Sequence, residues 1–260
     1  DKKLEIMLGY SDSAKESGAL FSRVIIHSTL MKLDKFILGK GYVPIFFHGS
    51  GGSVARGGGS LKEQVSWWPK SAQTRFKATI QGEMIHRTFS TPEILQRQID
   101  KIRSSVSQLK TLGAKDLGRK ELLEFSEKVR AEYLKCVEND SFMAMVSLAT
   151  PYVFLDKLKI GSRPSKRKKE FGLKSLRAIP WVLCWTQTRV HFPVWWGLGS
   201  AWKKSTDEDK VKIRKAFEQN SLMSSFVAVL VYTMAKVDFS VWAFYLENSG
   251  LSLRDVKGYP

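Results

Sequence analysis

The chain contains only two cysteines in 260 residues, Cys136 and Cys184, far apart and without metal-ligand spacing. That leaves no material for a disulfide framework or a cysteine zinc site, and points to two buried thiols in a reducing, cytoplasmic setting. Acidic residues are also scarce: 25 Asp and Glu face 42 Lys and Arg, a net charge of +17. Such an excess suits an anionic partner, whether nucleic acid, a membrane surface or small phosphorylated and carboxylated substrates. Acidic surface on a part of the protein outside this chain would balance it equally well. A long hydrophobic run is missing too. The most apolar stretch, 226–232 within 222–245, is broken by Lys236 and Asp238 before it spans a bilayer, so it reads as a buried helix with no membrane partner. No signal peptide is expected, because Asp1-Lys2-Lys3-Leu4 leads straight into a strand-like segment. No internal repeat is visible.

What is present is a folding composition. Hydrophobic residues make up 43% of the chain and aromatics 12%, enough for one large domain or two small ones. Four short apolar runs, 4–8, 43–47, 76–80 and 178–185, each end in a polar or glycine-rich turn and are predicted as buried strands. Helical periodicity covers 17–39, 91–112, 116–137, 207–219 and 221–247, with Thr91 as a candidate N-cap and Pro92 at the first helical position. Strands alternating with helices predict a parallel β/α architecture whose chemistry lies at the C-terminal strand ends. Asp12, Lys15, His48, Arg56 and Gln81 fall in those turns. Four strands cannot close a barrel that needs about eight, so the sheet must be completed from outside the chain.

The segment from Phe47-His48-Gly49-Ser50-Gly51-Gly52 to Arg56-Gly57-Gly58-Gly59 is the richest in chemistry. Glycines after a strand let backbone N–H groups approach an anion, and Arg56 adds fixed charge. It lacks the Gly-Lys-Ser/Thr ending of a P-loop and is not a dinucleotide fingerprint. A flexible linker is the bland alternative. The one charge run, residues 157–170, holds seven Lys or Arg against one Glu. A solvated loop is its default reading.

Seven segments in order carry a resemblance. Gly9-Tyr10-Ser11-Asp12-Ser13-Ala14-Lys15, the His48–Gly59 loop, Gln81-Gly82-Glu83 and Ile160-Gly161-Ser162-Arg163-Pro164 are the first four. Leu176-Arg177-Ala178-Ile179-Pro180-Trp181 with Trp185-Thr186-Gln187-Thr188-Arg189, then Pro193-Val194-Trp195-Trp196-Gly197, then Met234-Ala235-Lys236-Val237-Asp238 complete the series. Together they resemble the C-terminal part of phosphoenolpyruvate carboxylases over nearly the whole chain. The fold implied is α/β and helix-rich: a partial parallel (β/α) TIM-like barrel with many surrounding helices, residues 1–260 forming a single fragment. The activity implied is carboxylation of phosphoenolpyruvate by bicarbonate to oxaloacetate and phosphate, with Mg²⁺ or Mn²⁺, in a homo-oligomeric enzyme.

The resemblance also implies roles. Asp12 would be one of two acidic metal ligands, Lys15 would steady anionic intermediates, and His48 would lie beside the carboxylation centre. Arg177 would hold the substrate phosphate, Arg163 would add positive field, Arg56 would lie near substrate and an acidic inhibitor's site, and Gln81 would face the carbon dioxide pocket. Each has a bland counterpart. Asp12 would serve as a helix N-cap, Lys15 as a surface lysine, His48 as a hydrogen-bonded core histidine, Arg163 as a solvated cation, and Arg177 as the partner of a structural carboxylate. Trp181, Trp185, Trp195 and Trp196 are expected in the core.

Three departures stand out. Ser50 occupies the place of the family's first loop arginine, and Ala55 replaces a glycine. The family's N-terminal half, with another histidine, another arginine and a second metal carboxylate, is not represented. The chain also stops before the family's C-terminal segment. The expected function is therefore part of a carboxylase, inactive as this chain alone and needing the rest of the enzyme as partner. A degenerate carboxylase fold kept as a binding module is the alternative. Nucleic-acid binding through residues 157–169 is disfavoured, because that run has no interleaved aromatics.

Overall fold

The computed structural model describes residues 2–49, 61–79, 85, 89–112, 118–155, 157 and 176–251. The first part runs β1 (Lys3–Gly9), α1 (Ser11–Ser17), α2 (Ala19–Gly39), β2 (Val43–Gly49), α3 (Leu61–Val65), α4 (Lys70–Thr74) and β3 (Phe76–Ala78). Helices follow: α5 (Pro92–Leu112), α6 (Arg119–Val137), α7 (Asp140–Leu148), α8 (Tyr152–Leu155) and α9 (Ala178–Gln187). The last are α10 (Phe192–Trp195), α11 (Leu198–Lys204), α12 (Asp207–Gln219), α13 (Ser221–Met234) and α14 (Phe239–Asn248).

The three strands form one parallel sheet in the order β1-β2-β3, with Lys3 opposite Val43, Leu8 opposite His48, and His48 opposite Ala78. Period-two alternation puts Pro44, Phe46 and His48 on one buried face of β2. β1 is the edge: Leu8 is buried, while Leu4 and Met7 are exposed. The expected parallel α/β arrangement is present, but as an open three-stranded sheet among the described residues.

The fourth predicted strand is wrong. Residues 178–185 lie in helix α9. The run Ala-Ile-Pro-Trp-Val-Leu-Cys-Trp is apolar on every side, which gives no period to separate a buried strand from a buried helix. Pro180 sits in the first turn, where its missing N–H would have had no intrahelical partner. The helix is then buried at Trp181, Val182, Cys184 and Trp185.

The predicted helix 17–39 is α2, and Gly18, at φ +75, separates it from the short α1, which the periodicity did not predict. One long helix predicted as single is divided. The 221–247 stretch breaks after Met234, and Asp238 starts α14 by accepting the Ser240 N–H at 3.1 Å. Nor is that stretch buried throughout, since Val231, Tyr232 and Phe244 are exposed. Among the described residues no single helix is long and apolar enough to cross a membrane; α13 and α14 pass only as a pair bent by 58°. Other starts follow side-chain caps: Thr91 accepts from Ile94, Asn139 from Phe142, Thr206 from Asp209 and Asn220 from Met223.

Apolar burial falls into two main clusters. One packs the sheet and α2 against α6, α12 and α13, with Leu30, Phe46 and Phe226 fully buried. The other gathers Tyr133, Phe142, Trp181, Trp185, Phe192 and Trp242. There Trp185 stacks on Phe192 at 4.8 Å. Trp181 and Trp185 are core residues as expected, while Trp195 and Trp196 are only partly buried and pack on the rim of this second cluster. Both cysteines are buried thiols outside any disulfide, as expected.

Candidate functional site at the strand ends

β1 and β2 run parallel, so their C-terminal ends open on the same side of the sheet, and four of the eight candidates are described there. Asp12 and Lys15 lie on α1, immediately past β1. His48 is the penultimate residue of β2. Arg177 is the N-cap residue of α9. Ser50, Arg56, Gln81 and Arg163 lie outside the described residues, as does the basic run 158–169.

Lys15 is not a surface lysine. It is 2% exposed, and its ammonium donates to the Leu176 carbonyl at 3.1 Å across 161 residues of sequence. Asp12 and Glu16 each place a carboxylate oxygen 3.3 Å from the same nitrogen. An ammonium out of water needs such partners, because an unpaired buried charge is far costlier than a buried neutral group. The two carboxylates are mostly exposed, so they compensate Lys15 from the solvent side. The α1 backbone is tied down as well: Tyr133 donates its hydroxyl to the Lys15 carbonyl at 2.8 Å, and Trp181 donates to that hydroxyl at 3.1 Å. These contacts join α1 to the start of α9, and so bring Asp12 and Lys15 beside Arg177. The Arg177 backbone N–H points to the Tyr152 hydroxyl at 3.4 Å, and its buried Nε has no partner among the described residues.

His48 enters the same corner from β2. Its ring is fully buried, with Nδ1 2.7 Å from the Tyr10 hydroxyl. It lies flat on the Trp68 indole, centroids 3.6 Å apart and planes 9° apart. Burial pushes its pKa down to about 3, so the ring is neutral at physiological pH. His48 Nε2 has no hydrogen-bond partner among the described residues. Below this corner lies buried Arg23 on α2, its guanidinium 5.9 Å from the Phe226 ring. Burial lowers its pKa to about 10, opposed by Tyr10 and Glu63.

Asp12 caps nothing: the α1 N-cap is Tyr10, and Asp12 stands in the first turn. Sequence reasoning missed Tyr10, Trp68, Tyr133 and Tyr152. Tyr10 sat inside a quoted motif without a role, and nothing in the sequence set Trp68 apart from other aromatics. Among the described residues no group of three or more His, Cys, Asp and Glu side chains is placed to hold a metal ion.

A parallel sheet with Asp12, Lys15 and His48 at or just past its strand ends, and with Leu176 against Lys15, defines an α/β protein. Its family is specific: residues 1–253 match the model for phosphoenolpyruvate carboxylase, and the chain belongs to that family. A phosphoenolpyruvate carboxylase of Prochlorococcus marinus (strain MIT 9515) is 34% identical over 256 residues, covering 95% of this chain and 26% of the relative. Phosphoenolpyruvate carboxylase 2 of Arabidopsis thaliana is 33% identical over 251 residues, with 94% and 26% covered. That of Picea abies is 36% identical over 214 residues, with 80% and 22% covered. The chain thus spans about a quarter of the length of these curated relatives.

Proposed function

We propose that this chain is the C-terminal part of a phosphoenolpyruvate carboxylase, an enzyme that carboxylates phosphoenolpyruvate with bicarbonate to give oxaloacetate and phosphate. The observation that carries the reading is the Lys15–Leu176 hydrogen bond. It draws Asp12, Lys15 and Arg177 into one corner at the strand ends, although 161 residues separate its two partners. Family membership supplies the reaction, and this corner supplies groups that fit its anions.

In this reading Lys15 contributes a buried positive charge to anionic intermediates, and the planar Arg177 guanidinium holds the substrate phosphate. His48 lies beside the carboxylation centre. Arg56, Arg163, Gln81 and Ser50 join the site on the strength of sequence resemblance alone. A divalent ion would polarise oxygens of the substrate. The exposed Asp12 carboxylate is a hard oxygen donor of the type Mg²⁺ or Mn²⁺ prefers, but the described residues do not complete a ligand set, so the ion needs donors beyond them. The three parallel strands are then part of a barrel that the rest of a cytoplasmic, homo-oligomeric enzyme closes.

The test uses the natural protein that carries this chain. Lys15→Ala is expected to abolish oxaloacetate formation from phosphoenolpyruvate and bicarbonate while the fold survives. A wild-type protein with no turnover would instead favour the second reading, a carboxylase fold kept as a binding module. Ser50, standing where the family has an arginine, is the observation that supports that alternative.

A further inference from the structure

Tyr10 and His48 come from different strand ends, and their 2.7 Å contact raises a question that the ring positions answer. A phenol has one proton to give. The Tyr10 hydroxyl is buried, its hydrogen bond among the described residues is to His48 Nδ1, and the neighbouring Trp68 indole can only donate. The phenol proton therefore points at Nδ1, and Nδ1 accepts it. A neutral imidazole that accepts at one nitrogen carries its proton on the other. Stacking on Trp68 at 9° prevents the ring from turning out of this arrangement. Nε2–H is then a donor in a site without solvent contact, and no described residue takes its hydrogen bond. A buried donor of this kind is costly while unmet, so it marks a place where an acceptor belongs.

We propose that Tyr10 fixes His48 as the neutral imidazole protonated on Nε2, making it a hydrogen-bond donor to an anionic ligand oxygen and not a base. The identity of that oxygen, on bicarbonate or phosphoenolpyruvate, rests on the carboxylase reading; the protonation pattern does not. Tyr10 and Trp68 are positioning residues. Neither touches the ligand, and each acts through the His48 ring. A donor frozen before the ligand arrives needs no reorganisation, which is how preorganised N–H groups stabilise developing negative charge. As a base, His48 would need a lone pair at Nε2, and the Tyr10 bond denies it one.

The natural protein labelled with ¹⁵N-histidine tests this. One-bond proton coupling is expected at Nε2 of His48 and none at Nδ1, with the signal assigned by its loss in His48→Asn. Tyr10→Phe, which keeps the ring and removes the hydroxyl, is expected to populate the Nδ1–H form. If that variant fails to fold, the wild-type spectrum still decides the tautomer. Titration with bicarbonate and, separately, with phosphoenolpyruvate is expected to move the Nε2–H signal with at least one of them. A wild-type ring protonated on Nδ1, or a Tyr10→Phe spectrum identical to wild type, overturns the role of Tyr10. An Nε2–H signal indifferent to both anions overturns the donor role, even in an active enzyme. A signal that moves in a protein without turnover leaves the donor standing and removes the carboxylase reading.

Discussion

His27 and His48 are held without charge, and that has a consequence for stability. Burial lowers His48 to about 3, and burial with Arg119 nearby lowers His27 to about 4. In the unfolded chain both return to an ordinary value of about 6.5. The unfolded state therefore binds more protons below that pH. Stability is complete above about pH 6.5 and is lost as pH falls towards the folded pKa values. At pH 5 the loss relative to pH 8 comes to about 2 kcal/mol per histidine. Urea unfolding midpoints measured across that range should fall accordingly, and His27→Asn should flatten part of the slope. Ser50 makes a second prediction at this scale. An arginine there would offer several charged donors to the substrate, while serine offers one neutral hydroxyl on a short stem. The missing contact is worth about 3–4 kcal/mol in the transition state. Ser50→Arg in the natural protein should then raise turnover by about a hundredfold to a thousandfold. An already fast enzyme that gains nothing would show that another cation fills the role. Asp12, Lys15, His48 and Arg177 were legible as candidates through the family resemblance, and the first three also through their place after predicted strands. Tyr10 was not, because its importance is a distance to a ring 38 residues away.

Elements were legible where their periodicity was clean. β1, β2 and four of the five predicted helices stand close to their predicted bounds, because alternation in strands and capping residues before helices are local signals. The segment 178–185 failed for lack of any polar side to set the period. Gly18, at φ +75, sets the start of α2 two residues inside the predicted bound. Gly197 shows how sharply such a position is determined. Its φ is +86, and a Cβ there would lie 2.5 Å from the Val129 carbonyl oxygen on α6. Gly197→Ala meets both the backbone strain and that carbonyl, so it should destabilise by about 2 kcal/mol or more. Thermal unfolding would show it, with Gly199→Ala as the control, since nothing lies within 4 Å of a Cβ at Gly199.

At the scale of the whole molecule, β1 is an edge of the sheet among the described residues, with Leu4 and Met7 exposed. α13 and α14 likewise expose Val231, Tyr232, Met234, Phe239 and Phe244. An open strand edge and uncovered apolar side chains favour association. The 260-residue chain on its own is expected to sediment as oligomers or aggregates and to form no oxaloacetate. A monodisperse monomer with carboxylase activity would contradict both parts. Of the barrel expected from the sequence, the described residues show three parallel strands.

The hydrogen bond from Lys15 to Leu176 also sets an order of events in time. On a ribosome adding about 5–20 residues per second, roughly 8–32 seconds separate the two residues. Throughout that interval the Lys15 ammonium has no carbonyl to receive it and no reason to leave water, so α1 stays undocked. Tyr133, which grips the same turn from the backbone side, arrives late as well. The corner that holds Asp12, Lys15 and Arg177 is thus among the last parts of the nascent chain to set. A polypeptide truncated before residue 176 would keep all of β1 and β2, yet it would leave Lys15 in solvent and open to modification by amine-reactive reagents.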